Sequence, residues 1–378
     1  MAYTVLARRY RSRDFDEVVG QEPIARTLRA AIDQDRVAHA YLFSGTRGVG
    51  KTSMARIFAN ALNNPDNAED LTAAIMTGQD TDVIEIDGAS NRGVDEAREV
   101  IANAVYRPLR GRFKIYIIDE VHMLTKEAFN ALLKTMEEPP EHVKFILATT
   151  EPHKVPATIQ SRCQRFDFKN IPAARIGEHV EHVIKEEKLK AEPELVHAVA
   201  RLGNGSMRDA LSLLDRLMAA GEKKLTVQLL EDLLGLPDRV LIGQLLDAAA
   251  DGDTKGTLEA AAELLSKGIS ADQLLEALLD RLRDLMVLAA CGPETDLVDV
   301  SGKARKEEAE RATRFDAAGL MHMIVMTEHV QRAIKSSSVP RALLDALLVR
   351  LATAEKMAEV TGLIAAKGAG QGAPAGKR

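Results

Sequence analysis

Tryptophan is absent from this chain of 378 residues, and aromatic residues of all kinds make up only 4% of it. Its cores must therefore be packed from Leu, Ile, Val, Ala and Met, which favours helix-rich architecture. Cysteine is almost as scarce. Cys163 and Cys291 lie far apart in sequence, which excludes a disulfide framework and suggests a reducing compartment. No apolar run is long enough to span a bilayer, and the opening MAYTVLARRYRSRDF lacks the apolar centre of a signal peptide. A cytoplasmic location without a membrane partner is expected. Excess positive charge is also lacking. The net charge of −6 argues against a protein that coats nucleic acid by bulk attraction, so any such contact should be local.

What is present is an ordinary globular composition, 46% apolar and 28% charged, in a chain too long for one core; two or three domains are expected. Four short apolar runs read as buried strands: AYLFS (40–44), VIEID (83–87), KIYIID (114–119) and KFILAT (144–149). Helix-period stretches at 24–33, 53–62, 96–105 and 128–137 alternate with them, the last ending at Glu138-Pro139-Pro140. That alternation predicts a parallel sheet with crossover helices. Beyond a hinge at Ile171-Pro172, three short helices are expected at 175–189, 194–202 and 207–219. From Thr226 onward the pattern is helical, with one apolar stripe on Leu274, Leu275, Leu278, Leu279, Leu282 and Leu285 and another on Leu343, Leu344, Leu347, Leu348 and Leu351. The last residues, KGAGQGAPAGKR, read as a flexible tail or linker.

Between the first strand and its helix stands GTRGVGKT, residues 45–52, which fits G-x-x-x-x-G-K-[ST] in the strand-loop-helix context that motif requires. Gly45, Gly48 and Gly50 would turn backbone N–H groups onto phosphate oxygens, with Thr46, Arg47, Val49 and Ser53 completing the loop. Lys51 would place its charge on the terminal phosphates and Thr52 its hydroxyl on Mg²⁺. At the end of IYIIDE, Asp119 is placed to hold Mg²⁺ and Glu120 to polarise an attacking water. A phosphotransferase is the alternative, but Glu beside the metal aspartate favours water as acceptor. Thr150, after FILAT, is a candidate to orient that water or sense the γ-phosphate. Arg162, in IQSRCQRF on a segment expected to leave the sheet, is a candidate arginine finger acting on a neighbouring subunit. Arg208, opening the helix in GNGSMRDALSLLD, could fold back onto the phosphates.

Taken together, GTRGVGKTS, ASNRGVDEAREV, the long run from GRFKIYIIDEVHML to IQSRCQRF, and GSMRDALSLLD resemble the gamma/tau family of bacterial DNA polymerase III clamp-loader subunits, which are AAA+ ATPases. The motifs extend to about residue 217. The resemblance implies an α/β RecA-like ATPase domain (1–170), a small helical lid (171–225), an all-α collar that assembles the ring (226–362) and a tail (363–378). It implies ATP and Mg²⁺ as cofactor and metal, and delta- and delta-prime-type subunits, the sliding clamp and primed DNA as partners. Polymerase core and helicase would join them if the natural chain is longer. In the family's scheme Lys51, Thr52, Asp119 and Glu120 take the Walker roles, Thr150 the first sensor, Arg162 the trans finger and Arg208 the second sensor. Val18 and Val19, in the segment LARRYRSRDFDEVVGQ, would contact adenine.

Two departures stand out. The family usually carries four zinc-binding cysteines before the second strand, whereas this chain has NNPDNAEDLTAAIMTGQDTD there; zinc is not expected. Tau-type chains also continue into further domains, so this one resembles the shorter gamma form or a truncation. His179 and His182 share a helix face but lack a third ligand, and are expected to be surface residues. Arg92, at the approach to a helix that follows Ser90 and Asn91 and holds Asp95 and Glu96 in its first turn, is the candidate DNA-phosphate contact. Two rival readings remain: a non-hydrolysing subunit of the same ring, against which Lys51, Thr52 and Glu120 weigh, and a helicase-type motor, against which the want of a recognisable winged helix weighs.

Overall fold

The computed structural model describes residues 4–295, 297, 298 and 302–353, so the tail expected at 363–378 lies outside the described residues. The chain divides after Leu225 into two compact units.

The first unit is built on a five-stranded parallel sheet. Its strands are β1 (Ala40–Ser44), β2 (Val83–Asp87), β3 (Lys114–Asp119), β4 (Val143–Thr149) and β5 (Gln164–Asp167), in the order β2-β3-β4-β1-β5. β1 and β4 are buried along their whole length, as apolar runs without polar alternation require when both faces are covered. Tyr41, Phe43, Ile115, Ile117, Ile146 and Ala148 pack on helices Glu22–Asp33 and Lys51–Asn63. Their sequence neighbours Leu42, Tyr116, Ile118, Phe145 and Leu147 pack on Val94–Ala104 and Lys126–Glu137. The two-residue period thus sorts one sheet between two helical layers. β5 corrects the expectation for Arg162: its segment does not leave the sheet but turns into the edge strand beside β1. The region where zinc ligands are missing forms the helix Glu69–Thr77.

Three helices, Ala173–Glu186, Pro193–Leu202 and Met207–Ala219, complete this unit, with a short parallel pair joining Lys190–Ala191 to Lys224–Leu225. The N-terminal turn Leu6–Arg9 packs on the third of these helices.

The second unit is helical in its described residues, from Val227–Leu234 to the helix at 340–353. Leu274, Leu275, Leu278, Leu282 and Leu285 enter its core from helix Ala271–Cys291, together with Leu344, Leu347, Leu348 and Leu351; Leu343 packs against it half-buried, and Leu279 is half-buried. The Ser270/Gln273 capping box opens helix Ala271–Cys291.

One buried carboxylate shapes a surface of the first unit. Asp82, at the foot of β2, accepts hydrogen bonds from the N–H groups of Leu109 (2.8 Å), Arg110 (2.6 Å) and Gly111 (2.8 Å). It thereby holds a loop on which Val105, Tyr106 and Leu109 are 72%, 67% and 81% exposed. Asp82→Ala strips three donors of one charged acceptor and should destabilise the protein by about 2–3 kcal/mol in chemical denaturation. Asp82→Asn, which keeps one acceptor oxygen, should lose less. A change under about 0.5 kcal/mol, the level of an ordinary surface substitution, would mean the loop holds itself.

Candidate active site

At the C-terminal edge of the sheet the chain leaves β1 through residues 45–50 and enters helix Lys51–Asn63. Gly50, the residue before the helix, has φ 100°, and Gly48 has φ 78°; such angles are tolerated by glycine and by few other residues. At Gly48 space demands glycine as well, because an added Cβ would lie 1.9 Å from Ser206 Oγ, at the start of helix Met207–Ala219. Among the described residues the amides of Gly48, Gly50, Lys51 and Thr52 have no hydrogen-bond partner. Unpartnered amides at a helix N-terminus suit an anion, by geometry and by dipole.

Lys51 is buried, and its Nζ donates to the carbonyls of Gly45 (2.7 Å) and Thr46 (2.8 Å). Burial holds its ammonium below the ordinary lysine value, while Glu120 and Asp119 pull it back up. An anion in the loop would complete that compensation. Thr52 Oγ1 donates to Asp119 Oδ2 at 2.6 Å, so the hydroxyl of the loop meets the acid that ends β3. Two hard oxygen donors converging beside an anion site fit Mg²⁺, which takes a few protein oxygens and completes its shell with phosphate and water.

Glu120 follows in the left-handed region, φ 46° and ψ 45°, an uncommon place for a non-glycine residue and one that often marks function. Its carboxylate accepts from Thr150 Oγ1 at 2.9 Å and from Thr150 N at 3.3 Å. His122, only 5% exposed, stands 3.4 Å from the same carboxylate, bonds Thr149 Oγ1 at 3.0 Å and reaches Glu151 at 3.1 Å. Strand ends β3 and β4 thus hold Glu120 through a polar network.

These groups open on a cleft of about 850 Å³ lined by both parts of the first unit. Val18, Val19, Ile171, Met207 and Leu211 are among its apolar lining residues, and His179 lines it too. Seven basic side chains line it against four carboxylates, a local excess of positive charge in a chain of net negative charge. Arg47, Val49, Ser53 and Arg208 are among the lining residues, and Gly45 and Thr46 stand behind them as carbonyl partners of Lys51.

Arg162 and Arg92 do not join the cleft. Arg162 pairs with Glu137 at 2.5 Å and donates to Thr158 O at 2.6 Å. Arg92 is exposed, its Nε donating to Ala89 O at 2.8 Å, ahead of a first helical turn that holds Asp95 and Glu96. His179 is half-buried in the cleft rather than on the surface, and burial keeps its imidazole below the ordinary value. Sequence reasoning missed His122, His179, Arg8, Arg11 and Arg56. His122 had a signal, lying three residues after Asp119; Arg56, four residues after Thr52 on the loop's helix, had another. Arg11 had none, because its contacts come from parts of the chain distant in sequence. Cys163 is half-buried, its thiol pushed up to about 12 by burial. No group of three or more His, Cys, Asp or Glu that could hold a metal occurs among the described residues.

Three family descriptions match successive parts of the chain. Residues 20–172 match "DNA polymerase III, delta subunit", 175–223 match "DNA polymerase III clamp loader subunit, ATPase lid domain", and 225–365 match "DNA polymerase III subunits gamma and tau domain III". The DNA polymerase III subunit tau of Bacillus subtilis is 41% identical over 358 residues, 93% of this chain and 63% of its own length. The tau subunit of Escherichia coli is 43% identical over 76% of this chain and 46% of its own length. The chain therefore spans about half to two thirds of these relatives. DNA polymerase III subunit gamma of Buchnera aphidicola is 38% identical over 74% of this chain and 79% of its own length. With a parallel P-loop sheet, a three-helix lid and a helical second unit, the chain belongs to the gamma/tau family of DNA polymerase III clamp-loader subunits.

Proposed function

We propose that this protein is the ATP-hydrolysing motor subunit of a clamp loader. In a ring with delta- and delta-prime-type subunits, it would open a sliding clamp and load it on primed DNA in the cytoplasm, within the nucleoid-associated replisome. The observation that carries this reading is the convergence of the Thr52 hydroxyl, Asp119 and Glu120 at one end of an anion-ready loop. Residues 1–170 act as the ATPase domain, 171–225 as the lid and 226–362 as the collar, with 363–378 as a tail. Polymerase core and helicase are further partners if the natural chain is longer.

Gly45 to Ser53 cradle the phosphates of ATP, and Val18 and Val19 bound the adenine end. When bound through Thr52 and Asp119, Mg²⁺ supplies charge neutralisation at the β- and γ-phosphates. Lys51 leaves the loop carbonyls to meet the terminal phosphate. Glu120, released from Thr150, orients the attacking water, and Thr150 senses the phosphate in exchange. Arg208 brings the lid onto the nucleotide. Arg162 serves a neighbour's site, which agrees with its distance from the cleft of its own chain. Arg92 meets a DNA phosphate inside the ring. The exposed Val105, Tyr106 and Leu109 offer an apolar face to the clamp. No residue set for structural zinc has a place in this scheme.

Lys51→Ala should abolish measurable ATP binding by the full chain. Glu120→Gln should bind ATP normally yet stall hydrolysis, trapping the loader on its clamp. Normal turnover in Glu120→Gln would remove the water-orienting role. Arg162→Ala should leave nucleotide binding by the isolated subunit intact and cut hydrolysis in the assembled ring by roughly 10³-fold or more. In rings mixing Arg162→Ala with Lys51→Ala subunits, activity should return at interfaces that pair an intact finger with an intact site; none at any mixing ratio would refute action in trans.

A further inference from the structure

A second cleft, of about 1000 Å³, opens against the later turns of helix Lys51–Asn63. Its other walls are residues 13–16, the end of helix Glu22–Asp33, and helix Glu69–Thr77, in the stretch where zinc ligands are missing. Ile57 is buried and Phe15, Ile32 and Met76 are half-buried, so the cleft has apolar surface. Four carboxylates line it against two guanidinium groups, the reverse of the balance around the phosphate loop. That charge disfavours a phosphate-bearing ligand and favours a cation.

Asn60 is 7% exposed, and its amide is held in one orientation. Its Oδ1 accepts from Asn64 Nδ2 at 3.2 Å and from Thr72 Oγ1 at 3.4 Å. Asn64 Nδ2 also reaches Thr72 Oγ1 at 2.8 Å and the carbonyl of Ala68 at 3.0 Å. That network leaves Asn60 Nδ2 without a partner among the described residues. The nitrogen is not sealed from solvent, so it opens on the cleft that Asn60 lines. An amide nitrogen only donates, and a nearly buried one is costly until an acceptor meets it. Two of the four carboxylates are already engaged. Asp14 accepts from the N–H groups of Asp16 (2.8 Å) and Glu17 (3.0 Å), and Asp16 pairs with Arg29 at 2.9 Å. The side chains of Asp33 and Glu69 make no hydrogen bond or ion pair among the described residues; of the two bases, only the Arg13 guanidinium is likewise unpaired.

We propose that this cleft binds a partner polypeptide through one of the partner's lysine or arginine residues. The main-chain carbonyl of that residue accepts from Asn60 Nδ2, its apolar stem lies against Ile57, Phe15 and Met76, and its charged end meets Asp33 and Glu69. A basic residue within a chain combines the three features that the cleft leaves unmatched: an acceptor, an apolar stem and a cation. An acidic segment lacks the cation, and a free amine lacks the acceptor. The site lies outside the nucleotide cleft and does not rest on the nucleotide reading.

Fluorescence anisotropy tests this on the full chain with two dye-labelled, capped peptides, Ala-Leu-Lys-Leu-Ala and Ala-Leu-Glu-Leu-Ala, and with pentylamine as competitor. The lysine peptide should bind, and the glutamate peptide about 10-fold more weakly or less. Asn60→Leu, which removes the donor, should weaken the lysine peptide about 10-fold. Asp33→Asn with Glu69→Gln, two exposed changes, should weaken it about 5-fold and narrow its lead over the glutamate peptide. Where Asn60→Leu fails to fold, the side-chain amide resonance of Asn60 in the unaltered chain reads the same contact; it should shift as the lysine peptide is added. No binding of the lysine peptide, equal affinity for the two peptides, or an unmoved Asn60 resonance would overturn the proposal. So would full affinity in both variants. Pentylamine binding as tightly as the lysine peptide would also overturn it, marking a site for free amines.

Discussion

The parallel register of β1 between β4 and β5 is the constraint on which the cleft depends. Ser44 lies beside Thr149 on one side and Asp167 on the other, and its hydroxyl donates to the Asp167 carboxylate. Asp87 and Asp119 are paired in the same sense across β2 and β3. Parallel strands bring their carboxyl ends to one edge, and each crossover helix returns the chain to the other. The phosphate loop, the two acids at the end of β3 and the threonines at the end of β4 therefore emerge side by side, although about seventy residues separate the loop from the acids and about thirty the acids from the threonines. Slipping β1 by one residue would exchange its two faces and displace the loop at its end.

On that edge the charges are arranged to be incomplete. Lys51 is buried against carbonyls, the loop amides are unpartnered, and basic groups outnumber acids around the cleft. A preorganised electropositive cavity binds an anion without much reorganisation, because its dipoles are already in place. Glu120 is the counterpart. It sits in a costly backbone region, and Thr150 and His122 hold its carboxylate in one orientation. Strain retained at such a point, stabilised by side chains from a neighbouring strand, is a means of holding a reactive group ready and restrained.

The three-helix part of the first unit meets the sheet part at Gly48 of the loop. Gly48 lies against Ser206, whose side chain caps the helix bearing Arg208. The N-terminal turn is bound to the same helical part by Leu6, Arg9 and Tyr10. One chain thus supplies Arg208 and Arg11 to its own cleft, while Arg162 is held by Glu137 away from it.

Sequence by itself determined the architecture and the chemistry of the loop. Short apolar runs alternating with helix-period stretches read as parallel strands, and they lie at Ala40–Ser44, Val83–Asp87, Lys114–Asp119 and, one residue longer than expected, Val143–Thr149, although Val83–Asp87 is only partly buried. GTRGVGKT carries its conformation in its glycines, because the required backbone angles and close approaches are local properties. β5 was not legible: QRFD is short, mostly exposed and polar, as an edge strand tolerates, so it carries no hydrophobic signal. Helix Glu69–Thr77 was equally silent among polar neighbours. Beyond Arg47 and Arg208, which arginines face the cleft was decided by tertiary structure. Arg56 is neutralised by Glu85, Arg162 by Glu137, and Arg11 by nothing among the described residues. Neighbours in sequence do not tell which of these three is compensated, because charge compensation is settled by which distant acid the fold brings within reach.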